Sequence, residues 1–525
     1  MKITEYLSKN KISFDTSGGE IVIWCPFCQK THLSGMKIIT FHINPENGKG
    51  SCQDCQKQSD FAELVKELKS APVVMGVSEG VLEFQTSKSE VKNQSEQEEP
   101  LIEEEPEEVI DISQFKPMSS QALMDVLGLT IKKDNENKII TFLCLLSAYT
   151  ESSQFNISFN APSSTGKSYI PLEISNLFPV RDSMKLGNCS PQAFFHEQGA
   201  YDKAKNTITV DLSRKIIIFL DQPHNDLLVR LRALLSHDEK EIQSKITDKN
   251  QKGGNKTKTV IIKGFPSVIF CSAGLKIDEQ EGTRFLLLSP EISQEKIRQA
   301  VIEKIKKETD IDAYKDWLNS NPERKMLKDR ILAIKQADVM EINIHSPEKV
   351  EEKFLSGNKK LQSRGTRDVG RIISIAKSLA LLNLWFRERI GSTVIANDED
   401  VEGAFKIWDS ISESQELNLP PYIFNLYKEV ILTIWNEKKQ SIPEEMLKES
   451  GLTRQEIVQR NYKLNGRLIP DWQLRQDIVP MLENAGLIRQ EEDMKDKRKK
   501  LIYPTAELNT LPKENNSESG SGVSN

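Results

Sequence analysis

The segment FNISFNAPSSTGKSYIPLEI, residues 155–174, restricts the fold more than any other part of this chain. Phe155, Ile157 and Phe159 alternate with polar residues, the period of a strand, and the residues after Tyr169 read as a helix. Between them lies Ala161-Pro162-Ser163-Ser164-Thr165-Gly166-Lys167-Ser168. A glycine-containing turn from strand to helix ending in Gly-Lys-Ser is a phosphate-binding loop: backbone N–H groups wrap a β-phosphate, the lysine reaches the β/γ oxygens, and the hydroxyl can ligate Mg²⁺. ATP or GTP is the implied ligand. Ala161 stands where the first glycine of this pattern usually sits. Such a loop belongs in an open α/β sheet, where ligands bind at the carboxyl ends of parallel strands.

Further parts of a nucleotide site follow in order. The run KIIIFLDQP, residues 215–223, reads as a buried parallel strand ending in Asp221, an acid placed to hold Mg²⁺ through its water shell. Gln222 follows where many such ATPases carry a glutamate; Gln cannot act as a base but can orient water, so slow or conditional hydrolysis is expected. Asp226 and Glu239 are fallback carboxylates. The strand FPSVIFCSAG, 265–274, presents Ser272 to the γ-phosphate or the water. Arg284, just before the apolar FLLLSP, fits an arginine finger that reaches the nucleotide of an adjacent subunit; a surface ion pair is the alternative.

Taken together, residues 115–420 resemble the AAA+ ATPases, and within them the MCM-like helicases of replicons and mobile elements. The resemblance implies that RGTRDVGRIISIAKSLALL is the sensor-2 helix, with Arg367 matching its γ-phosphate arginine best and Arg371 second. It also implies that IANDEDVEGAFKIW closes a helical lid bundle, capped by Asp398 or Asp400. Between Asp221 and Ser272, Gly253-Gly254-Asn255 separates runs of alternating Thr, Val and Ile, a hairpin signal. Lys252, Lys256 and Lys258 would crowd its tip. In the helicases resembled, a hairpin here grips the DNA backbone; a solvated lysine loop is the alternative.

Near the amino end, Cys25-x-x-Cys28 and Cys52-x-x-Cys55 form two thiolate knuckles that fit a closed tetrahedral Zn²⁺ site. Cys144, Cys189 and Cys271 sit singly in apolar segments, as core residues do. The stretch CPFCQKTHLSG…FHINPENGKGSCQDCQKQSDFAEL also resembles the CHC2 zinc ribbon of bacterial-type DNA primases, with Cys28 in place of the primase histidine. That resemblance implies contact with single-stranded DNA. No room for a polymerising domain follows, because the next segment is too polar to build a core.

From Pro421 to Pro504 the pattern is a winged helix: a helix over 422–438, a helix-turn-helix with Gly451 at the turn, a third helix ending at Gly486, and two strands around a tip bearing Arg498, Lys499 and Lys500. Those cations can meet phosphates, although such modules also dock proteins.

The expected fold is therefore multidomain: a small zinc ribbon (1–70), an acidic disordered linker (71–114), an α/β P-loop AAA+ core (115–310), a helical lid (311–420), a winged helix (421–505) and a disordered tail (506–525). Residues 90–111 carry a charge of −9 within a total of −6, so the remaining chain carries +3, which suits a DNA partner. No apolar run approaches a membrane span and no signal peptide is evident, so a cytoplasmic location is expected. The implied cofactors are ATP, Mg²⁺ and Zn²⁺. The implied partners are single-stranded or forked DNA, further copies of the chain in a hexameric ring, and a separate primase or polymerase. Three functions compete: an ATP-driven DNA helicase or remodelling motor, a replication initiator or helicase loader that hydrolyses ATP slowly without unwinding, and a sequence-specific regulator.

Overall fold

The structure is a computed structural model. It describes residues 14–17, 20–24, 40–45, 49–52, 58–60 and 110–505, the last with gaps at 197–198, 203–204, 249–255, 274–283, 358–360, 362–363, 444–449 and 495. Two compact units divide the chain, Met1–Glu104 and Glu105–Asn525.

In the first unit, strands β1 (Phe14–Ser17), β2 (Glu20–Trp24), β3 (Thr40–Ile43), β4 (Lys49–Cys52) and β5 (Gln58–Asp60) form one antiparallel sheet in sequence order. Ile21, Phe41, Ile43 and Cys52 are buried, so even this small sheet has an apolar side.

The second unit is built on a five-stranded parallel sheet. Its strands are β6 (Ile157–Asn160), β7 (Ser183–Leu186), β10 (Ile216–Phe219), β13 (Ser267–Ser272) and β14 (Leu286–Leu288), in the spatial order β14-β6-β13-β10-β7. Alternation divides each central strand between two cores. Ile216, Ile218, Ile269 and Cys271 join the Asn135–Ser147 helix on one face, while Ile217, Phe219, Val268 and Phe270 meet Leu227, Leu231 and Leu234 on the other. Strands covered on both sides read as continuous apolar runs, which is why IIIF and VIFC carry no polar alternation.

A second sheet lies between β7 and β13 in sequence. It contains β8 (Ala200–Asp202), β9 (Thr207–Asp211), β11 (Glu241–Asp248) and β12 (Lys256–Lys263), ordered β11-β12-β9-β8. β11 and β12 form an antiparallel hairpin with Asp248 opposite Lys256, and β12 also pairs in parallel with β9.

After β14 come helices Gln294–Thr309, Ile311–Ser320 and Pro322–Gln336, and later Gly365–Leu382 and Asp398–Asp409. The region expected to be a purely helical lid also holds a three-stranded sheet of β15 (Glu341–Ile344), β16 (Glu388–Ile390) and β17 (Thr393–Ala396). The cap of the Asp398–Asp409 helix is Asn397 rather than either aspartate: Asn397 accepts from the Asp400 N–H, and the Asp400 carboxylate accepts from the Asn397 N–H. Asp400 also holds Arg387 at 2.7 and 2.8 Å.

The carboxyl-terminal module has its own core of Ile423, Tyr427, Ile431, Leu474, Ile478 and Ile502. It is helical over 421–441, Arg454–Asn465 and 471–484, then forms the ribbon β18 (Ile488–Glu492) and β19 (Lys500–Pro504). Gly451 is required by close approach: a Cβ there would lie 2.7 Å from Leu501 Cβ, where Leu452 bridges to Ile502. Among the described residues, no helix is long and apolar enough to cross a membrane.

Candidate functional site

The 161–168 loop leaves the carboxyl end of β6 and enters the Tyr169–Ser175 helix. Its turn needs left-handed backbone at Ser164 (φ 65°) and Gly166 (φ 92°), and only glycine takes the second without strain. Thr165 Oγ1 donates to Pro162 O at 2.9 Å, and Tyr169 N to Gly166 O at 3.0 Å, so the turn is set by its own hydrogen bonds. Ala161 is fully buried and donates its N–H to Ser272 O at 3.3 Å. Its φ is not in the left-handed region, so nothing in the local geometry demands the usual glycine. Beneath the loop, Cys271 Sγ donates to Lys167 O at 3.4 Å. Burial pushes that thiol up to about 12, which keeps it a neutral donor at physiological pH.

The next two strands bring the other expected residues alongside. β13 runs between β6 and β10, so Ser272 at its end lies between the loop and Asp221-Gln222. Ser272 Oγ donates to Gln222 Oε1 at 2.8 Å, and Gln222 N donates to Asp221 Oδ1 at 2.8 Å. Ser272 is buried whereas Asp221 is open to solvent. The Ser168 hydroxyl and the Asp221 carboxylate are oxygen donors of the kind a Mg²⁺ ion takes.

Two cations at the loop escaped the sequence reading. Lys296, in the first turn of the Gln294–Thr309 helix, donates to Glu291 O at 3.0 Å and Thr165 O at 3.5 Å and pairs with the buried carboxylate of Asp134. Asp134 is itself fixed at φ 52° and accepts from Glu291 N at 2.7 Å and Asn137 Nδ2 at 2.8 Å. A lysine in a first turn opposes the helix dipole, and that was the available signal. The second cation is Arg467, whose Nη1 donates to Ser163 O at 3.1 Å from the carboxyl-terminal module. No local pattern marks it.

Arg284 and Arg367 come together elsewhere. Leu286 at the start of β14 pairs with Ile157 at the start of β6, so Arg284 lies at the amino end of the sheet, while the 161–168 loop leaves its carboxyl end. β6 spans about 13 Å between those ends. Arg284, Arg367, Arg371 and His237 line one cleft of about 410 Å³. Arg284 Nε donates to Ser236 Oγ at 2.7 Å. Arg371 is buried against Asp368 at 3.1 Å and Phe285 O at 3.1 Å; burial lowers its guanidinium to about 10, still charged at neutral pH. His237, with φ 58°, lies edge-on to Phe265 at 4.7 Å, and burial pulls it down to about 4.

The remaining candidates are dispersed. Lys258 is half-buried on β12 and Lys256 begins that strand; Lys252 lies outside the described residues. Cys52 ends β4, buried opposite Phe41, while Cys25, Cys28 and Cys55 lie outside the described residues. Arg498 and Lys499 both pair with Asp496, at 3.3 and 3.6 Å, and Lys500 opens β19 opposite Glu492, so this tip is less cationic than its lysines and arginine suggest.

No protein-family model matches the chain, and no curated protein is found to be similar to it.

Proposed function

We propose that this protein is an ATP-driven DNA helicase or DNA-remodelling motor of the AAA+ type, resembling the MCM-like helicases of mobile elements, that works as a ring. One observation carries the reading: loop 161–168, Ser272 and Asp221-Gln222 occupy the carboxyl ends of three adjacent parallel strands, while Arg284 and Arg367 share a cleft at the opposite end of the sheet. Arginines so placed act on a nucleotide only from a neighbouring copy. ATP would then lie between copies, held by Lys167, Ser168, Asp221 and Mg²⁺ of one and met by Arg284 and Arg367 of the next. Exposed Ile297, Val301 and Ile305, four residues apart on the helix that starts at the phosphate loop, give that neighbour an apolar stripe to cover.

The β11–β12 hairpin supplies lysines for the DNA backbone. The cysteine knuckles are proposed as a CHC2-like zinc ribbon and the 421–505 module as a winged helix, both serving DNA contact. A replication initiator or helicase loader is the second reading. It is favoured by one residue: Gln222, which accepts from Ser272, puts an amide and no basic group at that position. The deciding experiment measures ATP turnover with and without single-stranded DNA, alongside unwinding of a forked duplex. DNA-stimulated turnover with unwinding supports the motor. Nucleotide-dependent DNA binding without either supports the loader.

A further inference from the structure

We propose that Arg467, carried by the carboxyl-terminal module, is a phosphate ligand of the nucleotide held at the chain's own 161–168 loop, so that nucleotide binding fastens this module to the ATPase core. The inference rests on the proposed nucleotide site and extends it to a residue outside the parallel-sheet core.

The module is seated against the loop by several independent contacts. Tyr422 N donates to Ser289 Oγ at 3.0 Å, and that hydroxyl donates onward to Asn160 O at 2.6 Å, the residue before the loop begins. Gln294 Nε2 donates to Asn465 O at 2.7 Å, at the end of the Arg454–Asn465 helix. Gly466 then turns the chain at φ 69°, where an added Cβ would come within 2.5 Å of the Gln294 side chain. This close turn delivers Arg467 to Ser163 O at 3.1 Å.

The two cations at the loop differ in how their charge is met. Lys296 is matched by the buried Asp134 carboxylate and so serves to position Thr165 and Glu291. Arg467 has no ion pair among the described residues; its hydrogen bond goes to a neutral carbonyl, which uses one of five guanidinium donors. A half-buried cation without a carboxylate, beside a loop whose amides receive an anion, lacks only the anion. Phosphate oxygens accept from a guanidinium in a charge-assisted, bidentate manner that a carbonyl cannot match. Entry of a nucleoside triphosphate therefore transfers Arg467 from Ser163 to phosphate, or lets it hold both.

The test uses the full chain with Mg²⁺ and a non-hydrolysable ATP analogue, measuring Kd by calorimetry and hydrogen exchange over residues 454–470. Arg467→Gln keeps a donor for Ser163 but removes the charge, and Arg467→Lys keeps the charge. The expected result is a loss of affinity of about tenfold or more for Arg467→Gln, the worth of one charge-assisted bond. Partial recovery should follow in Arg467→Lys. Nucleotide should protect 454–470 in the wild type and fail to do so in Arg467→Gln. Wild-type affinity and protection in Arg467→Gln, or tighter binding, would overturn the proposal while leaving the nucleotide site intact. If the wild type binds no nucleotide, or Lys167→Ala binds it equally well, both the site and this ligand fall.

Discussion

The Ser272 hydroxyl donates to the Gln222 amide oxygen at 2.8 Å, joining the ends of two neighbouring strands directly beside the 161–168 loop. An amide side chain offers hydrogen-bond donors and an acceptor but no group basic near neutral pH. Such a group can hold a water or a phosphate oxygen but cannot take a proton from the attacking water. The structure thus gives a physical reason for slow turnover under the proposed ATPase reading.

Gln222→Glu should reverse that limitation. A carboxylate at this position still accepts from Ser272 and gains a base; general-base assistance contributes on the order of 10²-fold. Steady-state turnover of Gln222→Glu should rise at least several-fold with nucleotide affinity little changed. Equal turnover in the two proteins would place the attacking water elsewhere.

The separation of Arg284 from Lys167 by the length of β6 predicts complementation between copies. Lys167→Ala should lose nucleotide binding, and Arg284→Ala should bind nucleotide yet lose hydrolysis. Mixed in equal amounts and allowed to exchange, the two inactive proteins should recover about a quarter of wild-type activity, because random pairing in a ring restores that share of interfaces. No recovery would mean that Arg284 does not act across an interface.

How much of this could be read from the residues depends on the range of the signal. The parallel sheet is legible in Ile216–Phe219 and Ser267–Ser272, because strands covered on both faces must be apolar throughout. The strand–turn–helix around residues 161–168 is legible because its signal lies in consecutive residues. The β11–β12 hairpin is marked by its glycines, but its parallel pairing with β9 is not, since Thr209 and Ile261 meet only through the tertiary fold. The three-stranded sheet within residues 341–396 hides in segments of three or four residues. Arg467 lies 304 positions from Ser163, and no pattern in one sequence connects residues so far apart. That Arg367 shares a cleft with Arg284 is likewise a tertiary fact that no spacing in the sequence announces.

His237 should make stability fall in mild acid. The unfolded chain protonates this imidazole near pH 6.5, whereas burial beside Phe265 holds the folded group to about 4. Between those values the unfolded state binds more protons, so stability declines as pH falls through the window, by on the order of 2–3 kcal/mol. Asn tolerates the left-handed backbone at this position. His237→Asn should therefore show a shallower drop in Tm between pH 6.5 and 4 than the wild type; parallel curves would show that another group controls acid sensitivity.

The hairpin makes the last prediction. β11 and β12 pair over eight residues each, and β12 is anchored to β9, so both strands are held by the sheet. Lys256 and Lys258 lie on β12 nearest that connection. If they meet DNA phosphates, replacing both with alanine should reduce the slope of log affinity against log salt by about 2, since each phosphate contact contributes roughly one released counterion. Basal ATPase should be unchanged, because β12 is not a strand of the parallel sheet that carries the 161–168 loop, while its stimulation by single-stranded DNA should be lost. Retention of both the salt slope and the stimulation would remove the hairpin from the DNA path and leave the remaining basic segments as its only candidates.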